Sequence, residues 1–305
     1  MRRAVKLVAS MALLSLGLFW WLTAPSYLSS VEAQSLLGDG DVSRGEIVFN
    51  AGGCASCHAT PGDTDRRKLG GGLRLKTNFG TFVAPNISSH KLDGLGAWST
   101  VDLANAMQRG VSPKGEHYYP AFPYTTYAHA RPEDIRDLMA YLRTLPAVEG
   151  RASDHELPPP FNVRRGLGLW KALYLEKGPI AEDSSKSVEW NRGHYLVEAL
   201  AHCAECHSPR DVFGGIVKSM RYAGGPDPEG KVFLPNISGK NFASWSKDEV
   251  LDLLETGMTP DDKVGGSMAD VVKNMAALPK SDRDAMAEYL KSLPAVDGPV
   301  KPPKK

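Results

Sequence analysis

Two short runs, Cys54-Ala55-Ser56-Cys57-His58 and Cys203-Ala204-Glu205-Cys206-His207, take up all four cysteines of the chain. Each offers a pair of thiols with an imidazole directly after the second. Paired thiols can close a disulfide, hold zinc or act as a redox couple, and their placement decides among these. Zinc ribbons bring their Cys pairs within ~15–20 residues, whereas Cys54 and Cys203 stand 149 positions apart. A thioredoxin-like site wants a βαβ setting and gives the two histidines no task. Two thiols separated by two residues do reach both vinyl groups on one edge of a haem, and the His that follows is then held under the iron. Cys54, Cys57, Cys203 and Cys206 are therefore expected to carry two covalent haem c groups, with His58 and His207 as proximal ligands.

The elements around these runs occur twice, about 148 positions apart. Arg44-Gly45-Glu46 returns as Arg192-Gly193-His194, and Ala84-Pro85-Asn86-Ile87-Ser88 returns as Leu234-Pro235-Asn236-Ile237-Ser238. Trp98-Ser99 returns as Trp245-Ser246, each opening a helix-like stretch that stops at Gly110 or Gly257. The stretch from Asp137 to Leu142, then Leu145-Pro146-Ala147-Val148, returns as Asp284 to Leu290, then Leu293-Pro294-Ala295-Val296. Ser43-x-x-Glu46 reads as a capping box opening a short helix. Ile135, Leu138, Met139 and Leu142 fall at spacings of three and four behind Pro132, an amphipathic helix with Pro in its first turn. Between the copies, Leu157-Pro158-Pro159-Pro160 reads as a stiff linker. Val163–Leu175 reads as a short amphipathic helix resting between the domains or on a membrane.

At 305 residues the chain has room for about two domains. An apolar share of 42% with 23% charged residues is ordinary for a globular protein, and a net charge of +1 speaks against nucleic-acid binding. Arg2, Arg3 and Lys6 precede an apolar run from Leu7 to Leu22 that ends in Trp20-Trp21. A cleavable signal has an apolar core of only ~7–15 residues and an Ala-x-Ala-like site, whereas a span takes ~17–25 and favours interfacial Trp. An uncleaved anchor over 1–25 is expected, with a signal segment as the alternative; either way the rest of the chain is exported.

Each copy resembles a class I cytochrome c domain: a helix bearing Gly45 or Gly193, a Cys-x-x-Cys-His run, then a last helix bearing Tyr141 or Tyr289. Tyr119-Pro120-Ala121-Phe122-Pro123-Tyr124 and His202 through Arg210 are similar to the multi-haem cytochrome subunits of membrane-associated periplasmic dehydrogenases of the alcohol dehydrogenase type. The resemblance implies an all-α fold, with two tandem class I domains over 38–150 and 190–298, a Pro-rich linker with a short helix over 151–189, and one N-terminal transmembrane helix. It also implies that Gly45 and Phe49 pack against the last helix near Tyr141, and Gly193 near Tyr289.

A class I domain takes its sixth ligand from a Met before the last helix, which raises the haem potential. Met268, in Gly265-Gly266-Ser267-Met268-Ala269, fits that place in the second copy, with Met258 and Met275 as alternatives. In the first copy, relatives of the alcohol dehydrogenase type carry Met where Phe122 stands, and Phe cannot bind iron. His129 is the candidate there, a vacant or water-bound site the alternative. His117 belongs to a phrase in which those relatives keep a His without using it as ligand, and Met107 and Met139 sit on helices. Pro85 and Pro235 are expected to offer carbonyls to the proximal imidazoles, and Trp98 and Trp245 to donate to haem propionates.

The function implied is single-electron transfer from a periplasmic dehydrogenase or cytochrome bc1-type donor to a terminal oxidase or other acceptor, outside the bacterial cytoplasmic membrane. No nucleotide loop, HExxH or nucleophile elbow accompanies it. The competing reading is a di-haem enzyme with an open first haem, of peroxidase or thiosulfate-oxidising type. A third is a tightly held subunit of one dehydrogenase complex.

Overall fold

The computed structural model describes residues 1–230 and 232–301. α1 (Arg2–Leu22) is a continuous helix of 21 residues, none of them buried. At ~1.5 Å rise per residue it is about 30 Å long, enough to cross a bilayer core. A short α2 (Ser30–Gln34) follows, started by a capping box between Ser29 and Glu32.

α3 (Val42–Ala51) leads through Gly52 and Gly53 into α4 (Cys54–His58). The expected cap at Ser43 is displaced. Asp41 caps α3 instead, its side chain accepting from the Arg44 amide. Asp137 fixes this register by accepting the Asp41 amide at 2.8 Å, and Asp caps as well as Ser. β1 (Arg74–Thr77) and β2 (Gly80–Val83) then pair antiparallel, Thr77 opposite Gly80. This hairpin departs from the all-helical expectation. It arises locally, from a β-branched and aromatic run closed by a tight turn.

α5 (Thr100–Ala104) starts where Trp98-Ser99 foretold, with a capping box between Ser99 and Asp102. It runs into a π-helical turn, Asn105–Arg109, stopped by Gly110. α6 (Tyr124–Tyr127) and α7 (Pro132–Thr144) complete the first half, with Pro132 at the start of α7. α8 (Leu167–Tyr174) lies in the connecting segment.

The second half follows the same order. It contains α9 (Val188–Tyr195) with a π-helical turn at Leu196–Leu200, α10 (Cys203–His207), and a minimal pair of β3 (Gly225–Pro226) with β4 (Phe233–Leu234). α11 (Gly239–Phe242), α12 (Lys247–Thr256), α13 (Ser267–Ala276) and α14 (Lys280–Lys291) follow. Ser246 and Glu249 cap α12, and Gly257 stops it.

α3 crosses α7, and α9 crosses α14, each at a glycine. A Cβ on Gly45 would lie 2.0 Å from the Asp137 carbonyl oxygen, and one on Gly193 would lie 1.8 Å from that of Ala285. No larger residue allows that approach. Phe49 packs tilted against Tyr141 at 5.2 Å between ring centroids, while Trp190 and His194 hold Tyr289 at 5.2 and 5.0 Å. The recurrent Pro-Asn-Ile-Ser phrase is a clamp on the end of each half. Asn86 donates to the Val148 carbonyl at 2.7 Å, and Asn236 donates to that of Val296 at 2.8 Å. Leu69, Ile135, Leu196 and Val250 are fully buried, each contributing roughly 1.5–3 kcal/mol of burial free energy.

Candidate functional site

Each Cys-x-x-Cys-His run forms one helical turn, so both thiols and the imidazole project from a single short element. The His58 Nδ1 lies 2.8 Å from the Pro85 carbonyl oxygen, and the His207 Nδ1 lies 2.9 Å from that of Pro235. An Nδ1–H donated to the carbonyl fixes the tautomer and leaves Nε2 as a lone-pair donor. The loop carrying each Pro is drawn tight by a glycine. Gly71 donates its amide to the His58 carbonyl at 2.9 Å, and Gly224 donates to that of His207 at 2.8 Å. A Cβ on either would sit 2.5–2.6 Å from a backbone atom of the proline loop.

Burial holds both imidazoles neutral, pushing His58 and His207 below the ordinary histidine pKa. Burial also pushes the Cys54 and Cys203 thiols up to about 12. Thiols so far from ionisation are poor nucleophiles for disulfide exchange. None of the four cysteines is in a disulfide. Two thiols on one helical turn and one neutral imidazole with a free Nε2 are the donor set that haem c requires, and these residues fit it.

The other sequence candidates separate clearly. Met268 is half-buried at the second position of α13, behind Gly266. Met275 is 2% exposed in the core, and Met258 is 46% exposed. Met107 and Met139 are buried in the core of the first half. His117 has both ring nitrogens engaged: Nε2 at 2.9 Å from the Thr23 carbonyl oxygen and Nδ1 at 3.0 Å from Lys171 Nζ. His129 stands between α6 and α7, half-buried, with Nδ1 at 2.7 Å from the Gly178 carbonyl oxygen. Phe122 occupies an aromatic nest with Tyr118 at 5.8 Å and Tyr127 at 5.7 Å between centroids. Trp98 and Trp245 pack half-buried on the core. Their carbonyls accept from Arg143 and Lys291 of the final helices.

Each motif meets the other half of the chain along a polar seam that no spacing rule pointed to. Asn274 donates to the Ser56 hydroxyl at 2.7 Å. Thr125 and Thr126 donate to Glu205 Oε1 at 2.7 and 3.2 Å, and Arg210 donates to Glu205 Oε2 at 2.6 Å. Burial pushes the Glu205 carboxyl up, but the Arg210 guanidinium and the Thr125 hydroxyl hold it below the usual glutamate range. Tyr127 donates to the Gly52 carbonyl at 2.6 Å and lies edge-on to His202 at 5.9 Å. His202 occupies the left-handed backbone region at φ 44, the place that Gly53 holds before the first motif at φ 63. The only advance sign of the seam was that Ser56 and Glu205 occupy the same place in their motifs.

Comparison with known proteins points to the same cofactor. The cytochrome c family model matches residues 42–146. A diheme cytochrome c-type protein of Cereibacter sphaeroides is 46% identical over 97% of this chain and all of its own length. The fructose dehydrogenase cytochrome subunit of Gluconobacter japonicus is 35% identical over 83% of the chain. The cytochrome c subunit of the quinone alcohol dehydrogenase of Gluconobacter oxydans is 32% identical over 84%. The chain spans only about half the length of these last two, 53% and 55%. The protein belongs to the cytochrome c family: a mostly helical electron-transfer protein that carries haem c, related to the cytochrome subunits of dehydrogenases.

Proposed function

We propose that the chain is a membrane-anchored two-haem relay that carries single electrons from a periplasmic dehydrogenase, or another donor such as a bc1-type complex, to a terminal oxidase or other acceptor. In this reading residues 38–150 and 190–298 are two tandem class I domains. Cys54, Cys57 and His58 hold one haem c, and Cys203, Cys206 and His207 hold the second. Bound haem c supplies a one-electron iron couple whose potential follows its axial ligands. The observation that supports the reading is the polar seam, in which Asn274 on Ser56 and Thr125 on Glu205 tie each attachment turn to the opposite half of the chain.

The residues divide the work. The Pro85 and Pro235 carbonyls orient the proximal imidazoles and raise their basicity. Met268 is the distal ligand in the second domain, since Met275 is committed to the core and Met258 to the surface. In the first domain His129 keeps that role, with Nε2 the free nitrogen once Nδ1 is held by Gly178. Trp98 and Trp245 donate to propionates. α1 stays attached as the anchor. Thr23, directly after it, is fully buried, with its Oγ1 accepting from Arg165 Nε at 3.0 Å and its carbonyl oxygen 2.9 Å from His117 Nε2. Cleavage beyond it would empty that socket.

Mass spectrometry of the denatured full chain tests the assignment. Two covalent haem additions, falling to one in Cys203→Ser/Cys206→Ser, are expected; a single addition in the unaltered chain overturns it. A second reading, an enzyme of peroxidase or thiosulfate-oxidising type, is favoured by one observation. Phe122, which cannot bind iron, is packed among Tyr118, Tyr124 and Tyr127 at the place where the resemblance implies a Met. Cyanide or peroxide binding to the oxidised protein would favour it.

A further inference from the structure

We propose that the outward face of α8 is a membrane-surface contact that lays the soluble body of the protein on the outer leaflet beside its anchor. This deepens the anchored reading and rests on it. α8 is amphipathic in the inverted sense. Leu169 and Leu173, one turn apart, are 45% and 67% exposed, while Lys171 on the other side is only 9% exposed. Lys171 Nζ is spent inside, donating to the Arg109 and Gly110 carbonyls at 2.8 and 2.6 Å. A helix facing water places these residue types the other way round.

The apolar surface continues beyond the helix. Trp170 donates its indole N–H to the Phe213 carbonyl at 2.9 Å, which ties α8 to a turn where Val212 and Phe213 are 85% and 66% exposed. Exposed apolar surface that runs on from one element to the next marks a contact. Position and charge both point to lipid as the occupant. A Cβ on Gly168 would lie 2.6 Å from the Thr23 Cα, so α8 is pressed directly against the residue where α1 ends. Arg165 stacks on the Trp20 ring at 4.2 Å and donates to Thr23, an arrangement suited to a headgroup boundary, where Trp and Arg concentrate. The patch therefore begins at the height at which α1 leaves the hydrocarbon. With Lys171 turned inside, Arg164 and Arg165 are the charged residues that residues 161–175 offer to anionic phospholipid headgroups, and the two acids at the edge of the patch are already engaged, Glu176 by Lys218 and Asp211 by the Tyr174 hydroxyl. Interfacial helices bind through just this pairing of apolar area and basic charge.

The test uses the full chain, haem-loaded, in vesicles of phosphatidylglycerol and phosphatidylethanolamine with no other protein. Single cysteines introduced as Leu173→Cys, Leu169→Cys, Val188→Cys and Leu14→Cys each receive a spin label. Power-saturation EPR then compares collision with lipid-soluble oxygen and with an aqueous nickel chelate. The expected oxygen-to-nickel ratio is several-fold higher at 173 and 169 than at 188, and highest at 14. A water-like ratio at 173 and 169 with a lipid-like ratio at 14 overturns the surface contact and leaves the anchor standing. Water-like ratios at all of them overturn both. Labels at 173 and 169 that are water-like in these vesicles and immobilised only when solubilised membrane proteins are co-reconstituted assign the face to a protein and also overturn the proposal.

Discussion

Asn274 and Ser56 are 218 positions apart in sequence, yet the Asn274 side-chain amide donates to the Ser56 hydroxyl at 2.7 Å. Thr126, 148 positions before Asn274, makes the reciprocal contact with Glu205 at 3.2 Å. Each half thus uses the element before its last helix to grip the attachment turn of the other.

Asn274 is 3% exposed, so Asn274→Ala removes a partly buried hydrogen bond and leaves the Ser56 hydroxyl partly unmatched. The expected loss is about 1–2 kcal/mol, read as a lower urea midpoint. If the seam couples the two haems, the same variant also narrows the separation of the two midpoint potentials or shifts one of them. An unchanged urea midpoint contradicts the packing described.

Glu205 is the stronger half of the seam. Its side chain is 10% exposed and that of Arg210 is 30% exposed, so the pair is only partly screened. Glu205→Gln is expected to cost about 2 kcal/mol at neutral pH. The folded-state pKa of Glu205 is held below the ordinary value, so its contribution is present above about 4.3 and is lost as pH falls through the lowered folded value. The gap between unaltered protein and variant should therefore close on acidification. A gap constant with pH contradicts an ionised Glu205 in the seam.

Gly193→Ala places a methyl group 1.8 Å from the Ala285 carbonyl oxygen. α9 and α14 must then move apart, at a cost of at least ~2 kcal/mol. The melting temperature should drop by several degrees. Gly265→Ala, with nothing within 4 Å, serves as the control and should change little.

The attachment turns were legible because their chemistry is local: thiols, imidazole and helical turn all lie within five residues. Ser99, Ser246 and Pro132 were legible for the same reason, since caps act on the next turn. The Asp41 cap and the Thr77–Gly80 hairpin escaped because a distant Asp137 and a short β-branched run decided them. The seam left almost no trace, for neither Asn274 nor Thr125 carries a pattern that names its partner. In α8 the apolar positions were visible, but which way they face depends on Lys171 finding the Arg109 and Gly110 carbonyls across the fold.

The first-half distal position can be altered directly. On the proposed ligation, His129→Ala should convert one low-spin haem to high spin and leave the haem assigned to Met268 untouched. Phe122→Met offers a thioether at the place where the resemblance implies one and should raise one midpoint potential, as Met ligation does. Potentiometric titration with optical detection reads both, and a His129→Ala spectrum identical to the parent removes His129 from the coordination sphere.

The most direct test of an electron relay is the EPR spectrum of the oxidised full chain, recorded with and without cyanide. Two low-spin ferric signals that cyanide leaves unchanged are predicted, because the proposed ligation by Met268 and His129 closes both irons. A substantial high-spin signal that converts on adding cyanide would contradict this account and turn the first haem into a site for substrate.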